Sequence, residues 1–396
     1  MADASREAWI TGVGLVSCLG EGADAHWQKL DAATPVYDTE TFAPYVVHPL
    51  APLTLDSQIP KKGDQRQMEQ WQRTGTYAAG LALDSAGLKG KAEILGRTDM
   101  IVAAGGGERD YAVDSAIVSG LGTAENPGAY LNERLTNDLR PTLFLAQLSN
   151  LLAGNISIVH GVTGSSRTFM GEEGSGIEAV RIGQARIAAG QSDVALVGGS
   201  QNGERKDLLM LFEFGGYALK APYRPVWDRA GQPGFATASL GAFLVIEARS
   251  HAEARGAKPL ARLSAVVSDR AARTEAGAVQ ASLERLWSRL PAVATDRAAV
   301  LSGATGAAGA TEEERALLAA RGLPVRATGS VAGHSIEPQF VFNIALATLA
   351  LGQGRLFAPC DTTGFETPAT GALDQVVVTG VGHWRGEGLA LVETVR

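Results

Sequence analysis

Apolar positions along the chain fall into two recurrent arrangements. Short continuous apolar runs bounded by glycine read as strands buried on both faces, and runs repeating every three to four residues read as helices. Residues 8–17, Ala8-Trp-Ile-Thr-Gly-Val-Gly-Leu-Val-Ser17, form the first apolar strand and lead into a glycine-containing turn. A short helix is predicted over 25–30. Pro35, Pro44, Pro49, Pro52 and Pro60 then crowd residues 34–66, which predicts a long surface excursion with little regular helix. Trp71, Tyr77, Ala78 and Leu81 mark a helix over 67–85, and 99–107 is the next buried strand. Residues 126–138 are polar and loop-like or weakly helical. Pro141 opens a helix over 142–152.

A Gly-rich turn follows, Thr168-Phe-Met-Gly-Glu-Glu-Gly-Ser-Gly-Ile177, and enters a helix over 175–189. Ile177, Val180, Ala185 and Ala188 carry its period, and Gly190 stands at its C′ position. A buried strand over 193–199 comes next, then an apolar cluster over 207–219 and a strand over 242–247. Near residue 250 the pattern restarts. A short helix (251–255), a strand within 256–267, a helix (279–290) and a strand (298–306) succeed one another. Residues 298–306 match 99–107 in kind, and Val376-Val-Val-Thr-Gly-Val-Gly382 echoes Trp9-Ile-Thr-Gly-Val-Gly14. Such echoes are what a duplicated α/β unit leaves behind. The expected division is 1–250 and 251–396. Glu312-Glu313-Glu314 reads as the solvated first turn of a helix running to residue 320.

Composition narrows the class. The 396 residues are 45% hydrophobic and 19% charged, with 48 glycines, which fits an α/β chain and excludes disorder. A formal charge of −7 gives no footprint for nucleic acid. Cys18 and Cys360 lie far apart, so neither a disulfide framework nor a CxxC metal site is expected. His26, His48, His160, His251 and His383 show no metal spacing and read as surface or core residues. Gly12-Xaa-Gly14 lacks the rest of a dinucleotide fingerprint, so no cofactor is expected. Residues 1–7 are polar, an apolar leader is missing, and no apolar run reaches membrane-spanning length, which makes the cytoplasm the expected location.

Candidate chemistry gathers where the Gly-rich turn meets the helix. Free N–H groups and the helix dipole favour a negative charge there, and this chain supplies Glu173. Residues 150–164, Glu173-Gly-Ser-Gly176 and residues 193–199 resemble the β-ketoacyl-ACP synthases of the thiolase-like superfamily. So do the opening strand and the loop Arg224-Pro-Val-Trp-Asp228. The resemblance implies an α/β thiolase-like fold, two similar halves in a layered αβαβα arrangement, and a catalytic Cys-His-His set with a nearby lysine. In the family's Ala-Cys-Ala-Ser-Gly turn the cysteine carries the acyl chain. Setting Ser175-Gly176 on its Ser-Gly puts Glu173 at the nucleophile. The first histidine maps to Gly303, the lysine to Gly329, and the second histidine is retained as His334. The family's glutamate in Gly-Glu-Gly-Ala-Gly is missing from Ala238-Ser-Leu-Gly-Ala242. Trp384 falls near the gating phenylalanine of the C-terminal turn. Phe212 and Phe214 fall where the family lines its acyl tunnel or dimer seam, although on pattern alone they read as core.

Glutamate does not replace a thiol. An acyl group on it would be a mixed anhydride, and its charge would repel a malonyl carboxylate. The implied function is a β-ketoacyl-ACP synthase homologue of fatty-acid or polyketide biosynthesis, a catalytically impaired subunit like the chain-length factors that pair with an active ketosynthase. Two alternatives stay open: an atypical 3-oxoacyl-ACP synthase or malonyl-ACP decarboxylase using Glu173 and His334, and a non-catalytic acyl-carrier-binding homodimer. The implied partners are acyl carrier protein and a second ketosynthase-like chain, in a homodimer or a heterodimer.

Overall fold

The computed structural model describes residues 4–139, 141–369 and 371–395. Five strands of the first part are β1 (Ala8–Ser17), β2 (Asp99–Ala103), β3 (Ser166–Phe169), β4 (Val194–Gln201) and β5 (Leu240–Ala248). Five of the second are β6 (Ala261–Asp269), β7 (Ala298–Ser302), β8 (Val325–Ala327), β9 (Gln375–Val381) and β10 (Glu387–Glu393). They form one hydrogen-bonded path in the order β8-β7-β9-β10-β6-β1-β5-β4-β2-β3. Outward from its centre the path is the same twice. β1/β5 and β5/β4 are antiparallel while β4/β2 and β2/β3 are parallel. β6/β10 and β10/β9 are antiparallel while β9/β7 and β7/β8 are parallel. The two sets join through Trp9↔Arg262 and Ile10↔Ala261.

This topology decides between the two sequence echoes. β7 occupies the place of β2, so the kinship of 298–306 with 99–107 is architectural. β9 occupies the place of β4, not of β1. The shared Thr-Gly-Val-Gly of residues 11–14 and 379–382 therefore joins strands that are not equivalent, and that echo is corrected.

Seven helices build the layers: α1 (Gln70–Ser85), α2 (Leu151–His160), α3 (Glu172–Ala188), α4 (Lys206–Gly215), α5 (Ala278–Trp287), α6 (Ala310–Arg321) and α7 (Gln339–Gln353). Alternate residues of one strand enter different cores, as the two-residue pleat requires. Leu196 and Val102 face Tyr77, Leu83 and Ile156 of α1 and α2. Ala195, Val197 and Ile101 face Ile177, Val180 and Ile187 of α3. In the second set Leu301, Val376 and Val378 join the central core with α3 and α7, while Val300, Val377 and Leu391 pack on Leu283, Leu286 and Leu317 of α5 and α6. The layers are helices, sheet, α3 with α7, sheet, helices: the αβαβα arrangement. Phe340 to Thr348 of α7 are all buried, which is the signature of a helix apolar around its whole circumference.

Several expectations are corrected. The segment 34–66 is not all surface: Val46, Val47 and His48 are buried, and Val47–His48 pair in parallel with Thr237–Ala238. Two apolar residues before a buried imidazole were outvoted by the surrounding prolines. Of the two readings left open for 126–138 the structure takes the helical one: residues 127–137 form a helix, its first turn capped by Asn126 Oδ1 accepting the Ala129 N–H at 3.1 Å. The predicted helix over 142–152 divides into Pro141–Ala146 and α2.

The acidic triplet of α6 is not simply solvated. Glu313 accepts the N–H groups of Gly277, Val279 and Gln280 and so caps α5. Glu314 is fully buried and accepts from Ser302 and Thr379, and its second oxygen has no partner among the described residues. Burial pushes its carboxyl up to about 7, against the pull of those two hydroxyls. A raised carboxyl contributes stability below its unfolded value of 4.5 that is lost as pH rises through about 7. The Glu314→Gln variant should therefore gain on the wild type by about 2 kcal/mol between about pH 5 and about pH 8. Urea denaturation at the two pH values measures this, and a constant difference refutes it.

Candidate active site

α3 begins under strain. Gly171 sits at φ 115° and Glu172 at φ 55°, the left-handed region that residues with a Cβ avoid. The chain thereby turns sharply out of β3, and the next side chain, Glu173, points inward at the helix head. Arg385 Nε donates to Glu172 Oε2 at 2.9 Å, tying the C-terminal turn to this corner. Ser175 Oγ donates to the Glu172 carbonyl at 2.7 Å.

Glu173 is 3% exposed. A carboxylate only accepts, so both ring nitrogens that face it carry protons. The Nε2–H of His334 donates to Oε1 at 2.7 Å, and the Nδ1–H of His383 donates to the same oxygen at 2.9 Å. The His383 backbone N–H reaches it at 3.3 Å. Burial alone would push the Glu173 carboxyl up, but the His383 charge and the hydrogen bonds from both imidazoles outweigh it and hold the group well below the usual carboxylate range. Burial would also disfavour the imidazolium of His383, and Glu173 reverses that, so its value is raised. The result is a buried ion pair at the positive end of a helix, where the dipole adds to the carboxylate's stability.

Aromatic rings enclose it. The His383 ring meets Tyr217, Phe235 and Phe212 edge-on at 4.7, 5.4 and 5.7 Å between centroids, and Phe235 also meets His334 at 5.0 Å. A cavity of about 480 Å³ opens beside this box, with Leu208, Leu211, Phe212, Tyr217, Ile336 and Trp384 among its walls. Its size is that of a small-molecule site.

The other residues singled out in the sequence lie at defined places. Gly303 follows β7, and its N–H donates to Thr379 Oγ1 at 3.0 Å. A Cβ there would lie 2.5 Å from the Thr379 carbonyl oxygen, so this backbone excludes an imidazole at 303. Gly329 opens a short helix, Gly329–Ala332, where a Cβ would stand 3.2 Å from Val226 Cγ2. Phe212 is buried in the box and lines the cavity. Phe214, two residues on, is 83% exposed and outside the cavity wall. Trp384 lines the cavity rim and is 56% exposed.

His383 is the residue that sequence reasoning missed. It reads as an ordinary surface or core histidine, whereas the structure aims it at Glu173. Its signal was its place in Gly382-His383-Trp384: moving the expected gate position by one residue selects it. The two thiols stand apart from this chemistry. Burial pushes Cys18 up to about 12 and Cys360 up to about 11, so neither is the reactive thiolate that acyl transfer requires.

Residues 5–252 match the model of the β-ketoacyl synthase N-terminal domain, and the chain belongs to that family. A 3-oxoacyl-[acyl-carrier-protein] synthase 2 from Vibrio harveyi is 26% identical over 273 residues, 65% of this chain and 61% of the relative. A putative polyketide β-ketoacyl synthase 1 from Streptomyces halstedii is 27% identical over 274 residues, 64% of this chain and 61% of the relative. The matched stretch thus spans about three fifths of these relatives' length. The solved structure of the ishigamide ketosynthase/chain length factor superposes with a TM-score of 0.78 at 19% identity, covering 99% of this chain and 100% of that one. A β-ketoacyl synthase from Burkholderia phymatum STM815 gives 0.80 at 18% identity, covering 98% and 100%. The fold is therefore thiolase-like. Among the described residues, no helix is long and apolar enough to cross a membrane.

Proposed function

We propose that this chain is a catalytically impaired, chain-length-factor-type subunit, which pairs with an active ketosynthase and acts on intermediates held by an acyl carrier protein in fatty-acid or polyketide assembly. The observation that carries the reading is the state of Glu173. At the nucleophile position stands a carboxylate that already accepts hydrogen bonds from two imidazoles, so it offers neither a thiol nor free donors for a developing oxyanion. The crowding at Gly303 supports the same reading, because the partner imidazole has no room. The family's range of synthases, and structural neighbours that are a ketosynthase/chain length factor and a type II PKS acyl-carrier protein in complex with its ketosynthase, support the partner and carrier classes.

The test is turnover of malonyl-ACP with acyl-ACP, read by mass spectrometry of the carrier-bound products. The chain alone should give no elongated product. Added to an active ketosynthase, it should change product length. Elongation by the chain alone, abolished in Glu173→Ala, overturns the proposal in favour of an atypical synthase or decarboxylase. That second reading draws its support from the cavity, which reaches His383.

A further inference from the structure

One acidic side chain in the cavity wall is left over by everything described so far. Glu337 is 8% exposed and lines the cavity. Its neighbours there are already committed. Glu172 takes Arg385, and Glu173 takes His334 and His383. Arg205, the cation on the far wall, donates to Asp207 and to the carbonyls of Gly106 and Gly107. Among the described residues no donor side chain reaches the Glu337 carboxyl, and only its own backbone N–H leans on it.

The backbone makes room for this group. A Cβ at Gly105 would lie 2.5 Å from Glu337 Oε1, and a Cβ at Gly176 would lie 2.2 Å from the Glu337 carbonyl oxygen. Glycine at 105 leaves room for the carboxyl itself, and glycine at 176 lets the backbone that carries it pack against α3. A buried carboxyl without a partner costs stability, so its place at a cavity wall is explained when something in the cavity completes it.

We propose that the cavity binds an amphiphile whose apolar body lies against Leu208, Leu211, Phe212 and Trp384 and whose ammonium group pairs with Glu337. The proposal is independent of the partner-subunit reading, because the probe binds, or fails to bind, the purified chain alone.

The pH dependence follows from the groups around Glu337. Burial, with repulsion from Glu173 and Glu172 at the head of α3, pushes it up to about 7, and Arg205 before α4 pulls the other way. His383 from the C-terminal turn faces it too. An ammonium favours the ionised carboxylate, so binding should release protons, and affinity should rise between about pH 6 and about pH 8.

The experiment titrates the full chain calorimetrically with n-octylamine, n-octanoate and n-octanol, in buffers of different ionisation enthalpy. Octylamine is expected to bind at least about tenfold more tightly than either other probe, as a buried charge-assisted hydrogen bond implies, and to release protons. The Glu337→Gln variant should level the three affinities without any loss of thermal stability. Equal binding of the three probes by the wild type, or octylamine binding without proton release, overturns the proposal. These two readouts decide even if the variant fails to fold.

Discussion

Replacing Glu173 with alanine is expected to destabilise the fold by about 3–5 kcal/mol, the usual cost of removing one partner from a buried ion pair. The carboxylate is the shared acceptor of two imidazole N–H groups and one backbone N–H. Alanine leaves all three facing apolar rings. The loss should depend on pH with a definite shape. Glu173 is depressed in the folded state, so its contribution is present above its unfolded value of 4.5 and lost as pH falls. His383 is raised, so its contribution is present below 6.5 and lost as pH rises through its folded value. The gap between variant and wild type should thus be widest near about pH 5–6 and narrow on both sides. Denaturant midpoints across pH measure it. A gap of under about 1 kcal/mol at every pH would mean that the pair contributes no more than an exposed one.

On the partner-subunit reading, a cysteine installed at position 173 should not confer condensation. Glu173→Cys places a thiol between two imidazoles at a helix head, an environment that lowers thiol pKa, so iodoacetamide should label it. Condensation should nevertheless remain about 10²–10³-fold below that of an active ketosynthase, because one oxyanion donor is still missing. Adding Gly303→His should fail to recover the rate. The Cβ at 303 meets the Thr379 carbonyl oxygen at 2.5 Å, and relieving that contact moves the β9 backbone. The second substitution should cost about 1–3 kcal/mol of stability, as overpacking does. Product quantification and urea denaturation on the double variant test both parts. A rate within about tenfold of an intact enzyme refutes the argument from Gly303.

Legibility differed by the kind of signal. β1 reads directly from Ala8-Trp-Ile-Thr-Gly-Val-Gly-Leu-Val-Ser17, because a strand buried on both faces is a continuous apolar run, and the structure keeps those bounds. α3 and its head were legible from glycine spacing and apolar period. Glu173 at that head followed from the turn, and His334 from the short motif around it. His383 and Glu337 were not legible. Each lies far from Glu173 in sequence, and what makes it functional is the company that tertiary packing provides: three aromatic rings for one, two glycines and a cavity for the other. Glu314 was misread for the same reason. An acidic first turn normally faces water, and the hydroxyls that draw this one inward come from β7 and β9.

The two mirrored strand sets meet through a pair of bridges, yet the ion pair spans them: Glu173 comes from the first set's helix, and both histidines come from beyond β6. Each strand set therefore holds one sign of the buried pair, and the other set supplies its partner. The two strand sets are complementary there, like a lock and its keeper. A substitution in one now changes the electrostatic demand placed on the other. The corner at the head of α3 is, in that light, a seam between the two strand sets.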